Sequence, residues 1–145
     1  MFNTVLVALD GSEYSERSLA IASELAKLAK SHLFFITVVT AYKDAHLPDV
    51  PKLEEQIQRR AEAYLAPFLK AARAGGLETD GHIGYGEPAQ QIVERAEETG
   101  AELIVMSTHG IGAAGFHALG SVAMKVLETA PCPVLMVRIP RAKLS

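Results

Sequence analysis

The sequence is poor in several features that would define its class. It has one cysteine, Cys132, and no tryptophan, and aromatic residues make up only 6% of its 145 residues. A single thiol cannot form an internal disulfide, which excludes a disulfide scaffold and is consistent with a reducing compartment. The longest apolar runs, such as LFFITVV at 33–39, are too short to cross a bilayer, and the first residues carry no basic export signal. We therefore expect a cytoplasmic protein that does not enter the membrane.

Basic residues and the common phosphate-binding motifs are also scarce. The 14 lysines and arginines are outnumbered by 17 acidic residues, which gives a formal net charge of −3. Nonspecific binding of nucleic acid depends on clustered basic side chains, so this class of partner is excluded. No Gly-Lys-Ser/Thr closes a Walker A loop, and no G-x-G-x-x-G follows the first apolar run.

Apolar runs and helical segments alternate along the whole chain. Hydrophobic residues make up 49% of it, which is typical of an ordered globular protein. Between the apolar runs, residues such as Leu19, Ala22 and Ala26 recur at the three- and four-residue spacing of a helix face. The alternation predicts one doubly wound α/β domain over residues 1–145, with a parallel sheet and helices on both faces. The five predicted strands are TVLVAL (4–9), HLFFITVV (32–39), DGHIGY (80–85), AELIVM (101–106) and PVLMV (133–137).

A ligand site is expected where the strand order reverses. In open parallel sheets, ligands bind outside the carboxyl ends of the strands at that point. Reversal beside the first strand, which gives the order 3-2-1-4-5, would bring together the segments that follow strands one and four. The first of these segments contains Asp10, which could accept hydrogen bonds from a ligand amine or hydroxyl group. Alternatively, Asp10 caps the following helix in a box-like pattern with Glu13.

The segment after the fourth strand ends in Gly120 and Ser121, directly before a helix. The first amides of a helix lack intrahelical partners and favour an anion, and a glycine there leaves room for phosphate oxygens. The alternative is an ordinary serine N-cap. Gly110, Gly112 and Gly115 could add a concave nest of backbone N–H groups, or they could form a merely flexible loop. Lys125, one turn into the helix, is expected to point elsewhere.

Three stretches resemble the universal stress proteins. They are TVLVALDGSEYSERSLAIASELA at the start, GEPAQQIVERAEETGAELIVM in the third unit, and STHG followed by LGSVAMKVLETAPCPVLMV at the close. The family has five parallel strands and often dimerises through the last one, which implies a homodimer through Val134 to Val137. A subset of the family binds ATP, so the resemblance implies an adenine-nucleotide-binding regulatory module in stress response, with ATP as ligand, with or without Mg²⁺.

The phosphate loop of that subset has its spacing preserved here. Gly110 is followed by nine residues, then by Gly120 and Ser121. By resemblance, Asp10 meets the adenosine end of the ligand and Val38 contacts adenine. The resemblance and the strand ends together give a predicted nucleotide-binding set of Ala8, Asp10, Ser12, Val38, Met106, Ser107, His109, Gly110, Gly120, Ser121 and Val122.

Two residues depart from the pattern of the binding subset. Ser107 stands where that subset has its first glycine, and Ile111 occupies a position that is often basic. These departures favour an alternative, a dimeric stress protein that binds no nucleotide and acts through protein partners. A slow ATPase is a third alternative. It would need a base or a water-orienting group from His109, His117 or Asp10, none of which lies in a recognisable nucleophile pattern.

Overall fold

A computed structural model of the chain describes residues 1–40, 50–109 and 119–138. Within these ranges, strands and helices alternate throughout, as the sequence predicts. The third strand begins at residue 78, two residues before its predicted start. The elements are β1 (Thr4–Ala8), α1 (Glu13–Ala29), β2 (His32–Val39), α2 (Val50–Ala74), β3 (Glu78–Tyr85), α3 (Pro88–Thr99), β4 (Leu103–Ser107), α4 (Ser121–Thr129) and β5 (Val134–Val137).

The strands form one parallel sheet in the order β3-β2-β1-β4-β5, which confirms the predicted order. β1 lies at the centre, where Val5 pairs with Leu33 of β2 on one side and with Leu103 of β4 on the other. The inner residues of β1 are fully buried, because helices cover both faces of the sheet. This burial explains why the strand is an unbroken apolar run.

The helices cover the two faces of the sheet in pairs. On one face, α1 and α2 pack over Val5, Val7 and Phe35, and on the other, α3 and α4 pack over Leu6 and Ile104. Each fully buried side chain of this kind contributes about 1.5–3 kcal/mol. Because right-handed crossovers that run in opposite directions lie on opposite faces, this pairing places the reversal of strand order between β1 and β4.

Local sequence signals mark where the helices begin and end. Ser12 caps α1 through its side chain, which accepts a hydrogen bond from the Ser15 amide, and α3 begins with Pro88 after the N-cap residue Glu87. Gly100 ends α3 in the left-handed conformation, at φ 69°. In the described part of the chain, none of the helices is both long and apolar enough to span a bilayer.

Candidate functional site

The carboxyl ends of β1 and β4 lie side by side, and their connections leave the sheet on opposite faces. Residues Val5, Leu6 and Val7 pair with three consecutive residues of β4. The turn after β1 and the segment after β4 therefore leave the same edge of the sheet at adjacent positions. This is the crevice in which open parallel sheets bind their ligands.

The turn after β1 is built around Ser12. Gly11 takes φ 88°, a left-handed conformation that favours glycine, and turns the chain into α1. The Ser12 side chain accepts from the Ser15 amide at 3.1 Å, while its own hydroxyl donates to Asp10 Oδ1 at 2.5 Å. The predicted capping role of Asp10 with Glu13 is therefore wrong, since the serine two residues later is the cap. Asp10 instead accepts from the Ser12 amide at 2.9 Å and lies exposed at the reversal point.

The end of β4 is a buried polar segment. Ser107, Thr108 and His109 are 6–9% exposed, and Met106 before them packs into the core under α3 and α4. The Ser107 hydroxyl donates to the His109 carbonyl at 2.5 Å, and the hydroxyl oxygen of Thr108 lies 2.9 Å from His109 Nδ1. The Thr108 amide donates to the Val137 carbonyl of β5. These bonds hold the strand end in place and turn the side chain of Ser107 towards the backbone.

The N-terminus of α4 is capped by a glycine and not by a serine. Gly120 is the N-cap residue, and among the described residues no side-chain cap hydrogen bond is present at this helix end. Ser121 is therefore the first residue of the helix and is exposed, which makes the serine N-cap interpretation wrong. Val122, the second residue, is half-buried and supplies an early helix amide. The amides of Ser121 and Val122 lie in the first turn of the helix, so neither has an intrahelical acceptor.

Close approach to the end of β4 favours glycine at position 120. Its amide donates to the Thr108 carbonyl at 2.9 Å, and a Cβ atom at this position would lie 3.2 Å from that same oxygen. The backbone angles, φ −61° and ψ 157°, are open to any residue. Space, and not conformation, therefore favours glycine. The sequence did not single out Thr108 for this part, because its contribution is a backbone carbonyl.

Two further predicted residues line the edge from neighbouring strands. Ala8 ends β1 opposite Ile36, and Val38 lies two residues further along β2, opposite Gly84 of β3. Ala8 and Val38 are both half-buried against the core under α3 and α4. Val38 therefore extends past the end of β1, where it could contact a planar ligand group. Gly110, Ile111 and His117 lie outside the described residues.

The cation nearest the start of α4 in sequence, Lys125, is paired with an acidic residue of another helix. Its Nζ atom lies 3.6 Å from Glu87 Oε1, so it pairs with the N-terminus of α3, which confirms the expectation. Glu87 accepts from the amides of Gln90 and Ala89 at 2.8 and 3.2 Å. These amides, first that of Gln90, together with Lys125, hold the pKa of Glu87 below its usual value. The sequence signal that predicts this N-cap is an acidic residue, Glu87, directly before Pro88.

Tyr64, a residue of α2, lies next to the β1–α1 turn. Its hydroxyl oxygen is buried near Gly11 and Ser15, and no group among the described residues completes a hydrogen bond with it. Burial, and then the nearby charge of Glu16, raises the pKa of Tyr64. Periodicity places a tyrosine on the buried stripe, but it does not indicate which turn the hydroxyl reaches.

The geometry defines the class as a doubly wound α/β protein with a candidate anion site at its topological switch point. The family model for the universal stress protein family matches residues 1–138. The chain therefore belongs to the universal stress protein family. The Thermus aquaticus protein named "Universal stress protein in QAH/OAS sulfhydrylase 3′region" is 39% identical over 142 residues, which cover 95% of this chain and 100% of the relative. Universal stress protein YxiE of Bacillus subtilis is 33% identical, with 95% and 100% covered.

Solved structures agree with the fold. The protein described as hypothetical protein MJ0577 superposes with a TM-score of 0.88 over 97% of this chain and 98% of its own, at 24% identity. A universal stress protein solved in complex with cAMP is 26% identical, with a TM-score of 0.72 and coverage of 93% and 96%. The Archaeoglobus fulgidus universal stress protein solved in complex with dAMP is also 26% identical, with a TM-score of 0.65 and coverage of 94% and 97%.

Proposed function

We propose that this chain is a cytoplasmic regulatory module of the stress response that binds an adenine nucleotide at the β1–β4 edge. The observation that carries the proposal is the N-terminus of α4, whose N-cap residue Gly120 provides no side-chain cap and donates its amide to the Thr108 carbonyl. Such an end attracts phosphate through its amides and its dipole. ATP, with or without Mg²⁺, is among the ligands to be tested.

The rest of the edge fits the other parts of a nucleotide. Exposed Asp10 lies at the end of β1, where it could accept a hydrogen bond from a ribose hydroxyl or an exocyclic amine. Half-buried Val38 could contact the base from β2. The ligands named for two relatives, cAMP and dAMP, are both adenine nucleotides, which supports the same ligand class here.

Calorimetry on a matched pair of glycine variants tests the proposal. Gly120→Ala introduces a Cβ atom 3.2 Å from the backbone oxygen of Thr108, whereas the Cβ atom of Gly75→Ala comes closest to the flexible side chain of Lys27, at 3.3 Å, and lies at an ordinary contact distance of 3.5 Å from the Ala72 carbonyl oxygen. Nucleotide is first removed, and AMP, cAMP and ATP are then titrated into each protein. We expect Gly120→Ala to lose at least about tenfold in affinity, because the helix amides must shift. Binding that is equal in all three proteins, or absent from the wild type, would contradict the proposal.

The edge of β5 favours a further part of the proposal, a homodimer through Val134 to Val137. Ile104 donates its amide to the Pro133 carbonyl and Thr108 donates to that of Val137, so the backbone groups of Val134 and Met136 face away from β4. Leu135 is 37% exposed on this edge strand. A second β5 strand could pair there, and such a dimer could also serve the alternative function, binding protein partners without nucleotide.

Sedimentation of two leucine variants tests the dimer. In a two-fold dimer through β5, Leu135→Lys would bring the two introduced positive charges close together at the interface. Leu28→Lys places the same charge on α1, where the side chain is 84% exposed. We expect the wild type and Leu28→Lys to sediment as dimers of the 15.6 kDa chain and Leu135→Lys as a monomer. A monomeric wild type, or a dimer that survives Leu135→Lys unchanged, would contradict this interface.

A further inference from the structure

A second cluster of titratable groups lies between β2, β3 and α3. It is centred on His82 of β3, whose ring stacks on Phe34 of β2. The Nε2 atom of His82 is buried, and no group in the described part of the chain makes a hydrogen bond with it. A neutral ring tolerates such a place better than an imidazolium ring, whose charge and second N–H donor both need a partner. The closed contact therefore favours the neutral form of His82.

The charged groups around His82 come from all three elements. They are His32 of β2, Asp80 of β3, and Arg95 and Glu98 of α3. Both carboxylates already have partners, because Asp80 Oδ2 lies 2.7 Å from His32 Nε2 and Glu98 Oε2 lies 3.1 Å from Arg95 Nη1. Burial, and then the charge of Arg95, lower the pKa of His82. A protonated His82 would thus meet a cation from the helix and two carboxylates that are paired with other groups.

The second half of α3 is held on β3 by few apolar side chains. The first half approaches the strand closely at Gly84, where a Cβ atom would lie 3.0 Å from the side chain of Gln91. One turn further along the helix, Arg95 lies near His82. Within residues 94–99, Ala96 is the one fully buried residue. A segment with so little apolar burial can open locally while the rest of the domain stays folded.

We propose that this contact is acid-sensitive, so that protonation of His82 releases residues 94–99 of α3 from β3 while the sheet stays folded. In the open state the ring reaches water and binds a proton near its ordinary pH of 6.5, whereas the closed state binds it less readily. Opening is therefore promoted progressively as the pH falls below about 6.5. Acid also strengthens the pair of His32 with Asp80, so this carboxylate is not released to His82. The proposal does not depend on nucleotide binding.

Hydrogen exchange of individual amides, followed by NMR, tests this opening. The amide of Ala96 is compared with that of Ala26, because each alanine is the last fully buried residue of its helix, three residues before the end. Rates are expressed as protection relative to an unstructured chain at the same pH. From about pH 7 to about pH 5 we expect the protection of Ala96 to fall at least about fivefold, and to depend on urea less steeply than that of Ala26. No fall at Ala96, or a urea dependence as steep as at Ala26, overturns the inference, because this amide would then exchange only when the whole domain unfolds.

Variants of the cluster assign the effect to His82. His82→Gln and His82→Phe both remove the titrating group, and phenylalanine keeps a ring that can stack on Phe34. In either variant the protection of Ala96 should change less than about twofold over this pH range, whatever its absolute level. Glu78→Gln is the control, since Glu78 lies 3.7 Å from His32 Nδ1 but is 86% exposed, and it should keep the fall seen in the wild type. A fall that persists in either His82 variant, or that Glu78→Gln abolishes, overturns the inference.

Discussion

Replacing Ser12 by alanine should destabilise the turn that carries Asp10. The substitution removes the acceptor of the Ser15 amide at 3.1 Å and the hydroxyl that donates to Asp10 Oδ1 at 2.5 Å. Loss of a serine N-cap costs about 0.5–2 kcal/mol. Ser15 is only 2% exposed, so water cannot readily replace the lost acceptor, and the upper half of that range applies. We expect a loss of about 1.5 kcal/mol, or about 5 °C in the melting temperature of a domain of this size.

Thermal unfolding followed by far-ultraviolet circular dichroism measures this loss. The protein must be free of nucleotide, because a bound ligand would add its own stabilisation and hide the difference. Ser12→Thr is the matched control, since threonine keeps a hydroxyl that can both cap the helix and donate to Asp10, and it should lose less than about 0.5 kcal/mol. If Ser12→Ala melted within about 1 °C of the wild type, or if Ser12→Thr lost as much, the capping argument would be refuted.

Three further predictions concern the core and the titrating groups. Val126→Ala should lower the free energy of unfolding, measured in urea, by about 2 kcal/mol, because this side chain is fully buried on the inner face of α4. Leu127→Ala should change it little, because Leu127 is 45% exposed. Burial, and then Arg95, hold the pKa of His82 below its ordinary 6.5, so the unfolded chain binds the proton first and stability falls as the pH drops below that value. Urea unfolding at pH values from about 7 to 5 should show this loss in the wild type and a smaller one in His82→Gln. Burial also raises the pKa of Cys132, so its thiol should react with a disulfide reagent at least about tenfold more slowly than free cysteine, and unfolding in urea should remove the difference.

The architecture could be predicted because it depends on patterns that are local in the sequence. The alternation of apolar runs and helical spacing specifies a parallel sheet, and the handedness of crossovers then limits the strand orders. The histidines were less predictable. In the sequence, His32 and His82 are far apart and form no recognisable motif. In the structure, both rings stack on Phe34, with centroid distances of 4.2 and 5.5 Å. His32 and Phe34 share a face of β2, but only the register between β2 and β3 brings His82 to Phe34, and no local pattern encodes that register.

The start of α4 illustrates why the site was harder to predict than the fold. Helix-capping preferences rank serine far above most residues, so Gly-Ser before a helix is naturally interpreted as a serine cap. The structure favours glycine at the cap because a Cβ atom there would lie only 3.2 Å from the Thr108 carbonyl oxygen. That approach joins residues on either side of a long connection, and local propensity contains no information about it. Gly120 has no side chain with which to cap the first amides of α4. The feature that local rules misassign is therefore the feature on which the proposed anion binding depends.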